Sequence, residues 1–179
     1  MINLKSSHKL NLFSKGLVFI FLFIFWGNSV NAQNMPVPEN IQAALLSKVL
    51  KFNPELPQNT RIKMLVVFNG NSEINKNEFI KGIGNSIEVK AITSIELEQY
   101  IEGCHLVYFM PGIRDQSSIC KTYKKLSVTG ISQYVEQGDI SLGFGIQNNK
   151  PKILVNLTSL DEEGQSFSSD ILRIAKIYN

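Results

Sequence analysis

The chain has 179 residues, 44% of them hydrophobic, with 18 Lys+Arg against 15 Asp+Glu and a formal net charge of +3. Three of the cations, Lys5, Lys9 and Lys15, precede the first acid, Glu39, so residues 33–179 carry 15 charges of each sign, and no basic excess marks a nucleic-acid or anionic-membrane partner. Of the two histidines one is His8, and the single remaining one, His105, excludes an H-E-x-x-H pair, a two-histidine metal site and a Cys2His2 set.

The basic lead runs into Leu17 to Trp26, an unbroken apolar stretch, and then into Val30-Asn31-Ala32. That stretch is short for a bilayer, whose core takes about 20 apolar residues. It fits the h-region and small-residue site of a secretory signal peptide. Residues 1–32 are therefore expected to be a leader cleaved before Gln33, placing residues 33–179 in the periplasm as one domain; an uncleaved N-terminal anchor is the competing reading. Trp26, the sole tryptophan, would leave with the leader.

The first element after the leader is a helix from about Pro38 to Phe52, with Ile41, Ala44, Leu45, Val49 and Phe52 as its apolar face. Asn53 precedes Pro54 and is pushed out of the helical region. Ile62 to Phe68 is nearly continuously apolar, as in a strand covered on both faces. A helix near Asn75 to Ile83 leads to Ile87 to Ala91, whose alternation suits a half-exposed edge strand. Gly82 and Gly84 are expected to end that helix with positive φ.

A short helix around Ile95 to Ile101 precedes a second apolar run, Leu106 to Met110, and Pro111-Gly112 separates this from a helix through Ile119 and Tyr123. A short strand at Ser127 to Thr129 follows. Ile140 to Ile146 then alternates with small residues, and Asn148-Asn149 turns it into Ile153 to Leu157, an antiparallel hairpin. The chain closes with a helix from about Ser168, with Ile171, Ile174, Ala175 and Tyr178 on one face. The pattern predicts an α/β single domain: a mixed, mainly parallel sheet with helices on both faces and a C-terminal antiparallel hairpin plus helix.

Chemistry-bearing motifs are sparse, and no cofactor or metal site is expected. The glycines at Gly70, Gly82-Ile83-Gly84 and Gly143-Phe144-Gly145 lack the third glycine of a dinucleotide fingerprint and the lysine of a P-loop. Gly143 and Gly145 suit a close backbone approach or a smooth face for a partner. Asp161-Glu162-Glu163 and Lys124-Lys125 read as solvated faces. Asn156-Leu157-Thr158 matches a glycosylation sequon but falls at a strand end, as a chance match. His105 opens an apolar strand, which favours a packed residue bonded to the backbone over a catalytic one. Cys104 and Cys120, if exported, either pair as a disulfide or persist as two buried thiols.

Several stretches together resemble the YfiR/HmsC-like family of periplasmic regulators. They are Cys104-His105-Leu106-Val107-Tyr108-Phe109, then Tyr134 to Leu142, then Ile153-Leu154-Val155-Asn156-Leu157 followed by Ser168-Ser169-Asp170-Ile171-Leu172-Arg173-Ile174-Ala175. The last block is similar to the family's Ile/Val-Asn-Leu strand and Ser-Ser-x-Leu-Leu-x-Leu-Ala helix. Lys48 to Phe52 resembles the family's first helix, but Asn53-Pro54-Glu55-Leu56 stands where many members have an aromatic-Trp-Pro sequence, and Cys120 has no obvious family counterpart.

The resemblance implies a non-enzymatic exported protein that binds and restrains the extracytoplasmic domain of an inner-membrane signalling protein, a diguanylate cyclase in known members. A homodimer is a further candidate assembly. Phe144, Arg173 and Tyr178 supply the aromatic and guanidinium groups favoured at hot spots and are the candidate partner-binding residues. The alternative function is a periplasmic small-molecule sensor with a cleft at the carboxyl ends of the parallel strands, near Asn69, Thr93 and Arg114. A hydrolase or thiol oxidoreductase is disfavoured by the single histidine and the absence of C-x-x-C.

Overall fold

A computed structural model describes residues 36–113 and 116–179. The leader, its cleavage site and Arg114 lie outside the described residues. Seven strands form one sheet: β1 (Ile62–Phe68), β2 (Ile87–Thr93), β3 (Leu106–Phe109), β4 (Leu126–Thr129), β5 (Leu142–Gln147), β6 (Lys150–Asn156) and β7 (Lys176–Tyr178). Their order is β2-β1-β3-β4-β5-β6-β7. Every neighbouring pair is parallel except β5 and β6, which form the expected hairpin. Its turn, Asn148 and Asn149, has φ of 51° and 58°, the left-handed pair that a two-residue hairpin requires.

The apolar runs at β1 and β3 are continuous because both faces of the sheet are covered. Met64, Val66, Leu106, Tyr108, Leu126, Val128, Leu142 and Phe144 point to one face. There they meet α1 (Glu39–Val49), α2 (Glu73–Gly82), Leu160 of α6 (Leu157–Glu162) and Ile171 of α7 (Ser169–Ile174). Leu65, Val67, Val107 and Phe109 point to the other, against Leu97 of α3 (Leu97–Tyr100), Cys120 of α4 (Ser118–Tyr123) and Val135 of α5 (Ser132–Glu136). This is the period-2 alternation of strands applied to two buried faces. Among the described residues no helix is long and apolar enough to cross a membrane.

Three local expectations are corrected. The inward face of α1 is Gln42, Ala43, Leu46 and Val49, whereas Ile41 is 37% exposed and Phe52, in the 3-10 turn Leu50–Phe52, is 41% exposed. The helix is rotated because Gln42 has a polar seat in the core: Tyr108 Oη donates to Gln42 Oε1, and Gln42 Nε2 donates to the carbonyl of Val37. Neither Gly82 nor Gly84 takes positive φ; a Cβ at Gly82 would lie 2.9 Å from Ala43 Cβ and 3.0 Å from Asn40 Cα, so its role is the close approach of α2 to α1. The final helix stops at Ile174, and Tyr178 lies in β7, paired with Asn156.

Candidate functional site

At the carboxyl ends of the strands the expected cleft residues are occupied by local structure. Asn69 follows β1, and its Oδ1 accepts from the amides of Asn71 and Ser72 at 3.1 Å each. Thr93 ends β2; its amide and hydroxyl donate to Glu96 at 2.8 and 2.6 Å, and these bonds, the hydroxyl first, hold the Glu96 carboxyl below its usual range. Both side chains therefore act as caps. Phe68 pairs with Thr93, so the elements that follow β1 and β2 emerge side by side. They carry the two most exposed large apolar residues among those described, Ile74 at 79% and Ile95 at 89%.

The opposite, amino end of the parallel strands holds a cleft of about 570 Å³ lined by Thr60, Arg61, Lys63, Glu88, Gly103 and His105. His105 is pinned to β1 in both directions: the Lys63 amide donates to His105 Nδ1 at 2.8 Å, and the His105 amide donates to the Lys63 carbonyl at 2.9 Å. This bears out the expectation of a backbone-bonded histidine.

The candidate partner residues separate. Phe144 is fully buried in the core, so the structure removes it from any surface. It packs into the core on the face of α1 and α2, while on the other face a Cβ at Gly143 would lie 2.5 Å from Val135 Cγ2, so β5 is packed tightly on both faces. Arg173 is exposed on α7 and bonds Asp170 at 3.0 Å. Tyr178 is half-buried, with Lys176 Nζ 4.7 Å from its ring centre. Asn156 is also buried, its Nδ2 donating to the Val135 carbonyl at 3.1 Å and its Oδ1 capping Ser159, which leaves no exposed sequon side chain.

Cys104 and Cys120 both lie in the core beneath α3 and α4, and both are free thiols. Burial raises the Cys104 thiol to about 11 despite Lys125, and burial followed by the charge of Glu163 raises the Cys120 thiol as well. Thiols held protonated this way are poor nucleophiles.

Glu163 was expected on a solvated face and is fully buried. β4 and β5 pair only at Val128 with Leu142 and Thr129 with Gly143; below that point the Glu163 carboxyl occupies the gap between the strands. The Ser127 amide donates to Oε2 at 2.9 Å, the Ser127 hydroxyl reaches Oε1, and Ser141 Oγ lies 2.5 Å from Oε2. Ser141 Oγ is also 3.1 Å from the Ser127 carbonyl and has one proton to give. A proton on Glu163 lets both contacts be hydrogen bonds. Burial correspondingly pushes this carboxyl up to about 7, against the lowering effects of the serine bonds and Lys121. Sequence reasoning missed this residue because a run of three acids reads as surface. Among the described residues no group of three or more His, Cys, Asp and Glu side chains is placed to hold a metal ion.

A family model described as YfiR/HmsC-like matches residues 39–176, which is nearly the whole described domain. The chain belongs to that family. The residues that carry the resemblance are those of β3, β6 and α7 and of the segment from Tyr134 to Leu142. No curated protein matches the sequence. Among solved structures, this YfiR/HmsC-like chain is similar to an ABC domain in complex with L-Trp from Streptococcus pneumonia, with a TM-score of 0.56, 14% identity, and coverage of 79% of this chain and 60% of that one. A conserved domain protein from Vibrio cholerae O1 biovar El Tor is similar at a TM-score of 0.55 and 14% identity, over 82% of this chain and 61% of that one. The chain thus spans about three fifths of each, and at that identity the likeness is one of fold.

Proposed function

We propose that this chain is an exported, non-enzymatic regulator that binds and restrains the extracytoplasmic domain of an inner-membrane signalling protein, with a diguanylate cyclase as the first candidate receptor. The observation that carries this reading is membership of the YfiR/HmsC-like family across residues 39–176. In this reading residues 1–32 are removed on export and the folded domain acts in the periplasm. Restraint requires preferential binding to one receptor conformation, and about 10⁴-fold discrimination inverts a 1:99 equilibrium.

Ile74 and Ile95 are each exposed apolar residues at the carboxyl end of the parallel strands, and each is a point at which a partner gains contact area. Arg173 and Tyr178, near the β7 edge, form the second surface to test. The experiment is in-cell crosslinking from a photoreactive residue placed at Ile95 of the tagged full chain, read by mass spectrometry. Adducts with an inner-membrane signalling protein that disappear in an Ile74→Asp background are expected. Reproducible adducts with no such protein, from Ile95 or from Tyr178, would overturn the reading.

A further inference from the structure

The cleft at the amino ends of β1, β2 and β3 has a construction that the regulator reading does not use. The three strands are parallel and in register, with Ile62 opposite Ile87, Lys63 opposite Glu88 and Met64 opposite Leu106. Arg61 and Lys63 at the start of β1, Glu88 on β2, and Gly103 with His105 before β3 are thereby brought to one mouth. The Lys125 ammonium, bonded to the Glu102 carbonyl at 3.1 Å, lies close enough to act electrostatically on His105. Two lining cations, with Lys125 beyond the lining, thus stand against a single lining carboxylate, and among the described residues neither Arg61 nor Lys63 is committed to an ion pair.

His105 adds a directed donor. A backbone amide can only donate, so the bond from Lys63 N to Nδ1 makes that nitrogen the acceptor and places the proton of the neutral ring on Nε2. The same bond fixes the ring plane. The Arg61 guanidinium, the Lys63 ammonium, the imidazole N–H and the Thr60 hydroxyl all belong to residues that line the cleft, and each is a group that donates to the oxygen atoms of an anion; Glu88 is the lining carboxylate.

We infer that this cleft binds a small doubly charged oxyanion of the phosphate class, either inorganic phosphate or the head of a phosphomonoester, held by Arg61, Lys63 and the Nε2–H of His105. Lys125 contributes long-range attraction, and Glu88 opposite Lys63 restricts the bound charge to the Arg61 side. In the empty cleft burial first, and then Lys125 and Lys63, hold the imidazole below its ordinary range. A bound dianion reverses the electrostatic part of that effect. This inference is independent of receptor binding, and either can fail without the other.

The test follows the imidazole C2–H resonances of the full chain by NMR, with His105→Gln identifying the His105 signal. Inorganic phosphate, added against sodium chloride at matched ionic strength, is expected to shift the His105 signal saturably and to raise its titration midpoint by about one pH unit, while His8 follows ionic strength alone. Arg61→Ala with Lys63→Ala should weaken the apparent affinity at least tenfold, the change expected when two charge-assisted partners are lost. These residues are exposed, so the variant is expected to keep its thermal midpoint without phosphate, a control for folding. Glycerol 2-phosphate distinguishes the sources: tighter binding than phosphate assigns the cleft to a phosphomonoester, and weaker binding assigns it to the free ion. A His105 response equal to that in sodium chloride, or an unchanged response in the double variant, would overturn the site.

Discussion

Two buried polar clusters hold this domain together, one between a helix and the sheet and one between two strands, and they do so by different chemistry. In the first, Gln42 and Tyr108 fasten α1 to β3 with neutral groups, under the Phe79 ring, whose centre lies 3.9 Å from that of Tyr108. In the second, Glu163 fills the gap between β4 and β5 with a group that titrates. A neutral cluster fixes geometry at any ordinary pH; burial pushes the Tyr108 phenol far above its usual range, so it stays protonated. A carboxyl in the same role makes the junction between the parallel and antiparallel parts of the sheet depend on proton concentration.

The comparison is broken most severely by Glu163→Ala, which leaves the Ser127 amide without an acceptor in a dry site and takes one partner from each of the two serine hydroxyls. A loss of about 3 kcal/mol is expected from the desolvation of unpartnered groups, measured by urea unfolding at pH 6. Of similar size is the pH effect. The folded carboxyl sits near 7 against an ordinary 4.5, so the folded state binds the proton more tightly than the unfolded one. Its contribution is therefore complete below about pH 4.5, declines between 4.5 and 7, and is absent above 7. The wild-type stability minus that of Glu163→Gln should fall across that window by about 3 kcal/mol; a flat difference would show that the carboxyl is not raised.

Tyr108→Phe tests the neutral cluster. It leaves Gln42 Oε1 without its donor and is expected to cost about 1–2 kcal/mol, with the same loss at pH 5 and pH 8. Gly82→Ala adds a methyl where Ala43 and Asn40 leave too little room, and a loss of about 1 kcal/mol is expected from overpacking, read as a lower thermal midpoint. The smallest effect concerns the thiols. Cys104 and Cys120 should resist maleimide in the folded protein, and non-reduced, urea-unfolded protein should take up two labels; uptake of none without reductant would establish the disulfide pairing instead.

What was legible in the sequence follows from how locally each feature is encoded. β1 and β3 stand out because burial on both faces demands an apolar residue at every position, and the Asn148-Asn149 turn because few residues accept two successive positive φ values. The orientation of α1 was not legible. Gln42 is polar, and only a tyrosine 66 positions later gives it a place in the core. Glu163 was hidden for the same reason, its partners Ser127 and Ser141 lying on two other segments. β7 is three residues long, too short to interrupt a helical period that Ile171, Ile174 and Tyr178 satisfy by coincidence. Of the site residues, His105 announced its backbone bond by its position, but the cations around it converge only through strand register. The usual rule for open α/β sheets directed attention to the carboxyl ends, where Asn69 and Thr93 serve as caps.

The strand order also bears on how the chain comes together in time. After β1 and β2 pair, β3 adds to the free side of β1, and every later strand adds to the one just before it. A polypeptide emerging amino end first therefore always presents its next strand to a growing edge already formed, with no segment held back for a distant partner. The first four strands pair among themselves in parallel, and β5 through β7, a hairpin with β7 beside it, join them through β4. Truncation from the carboxyl end is thus expected to remove structure strand by strand, while removal of β1 takes from β2 and β3 the neighbour they share.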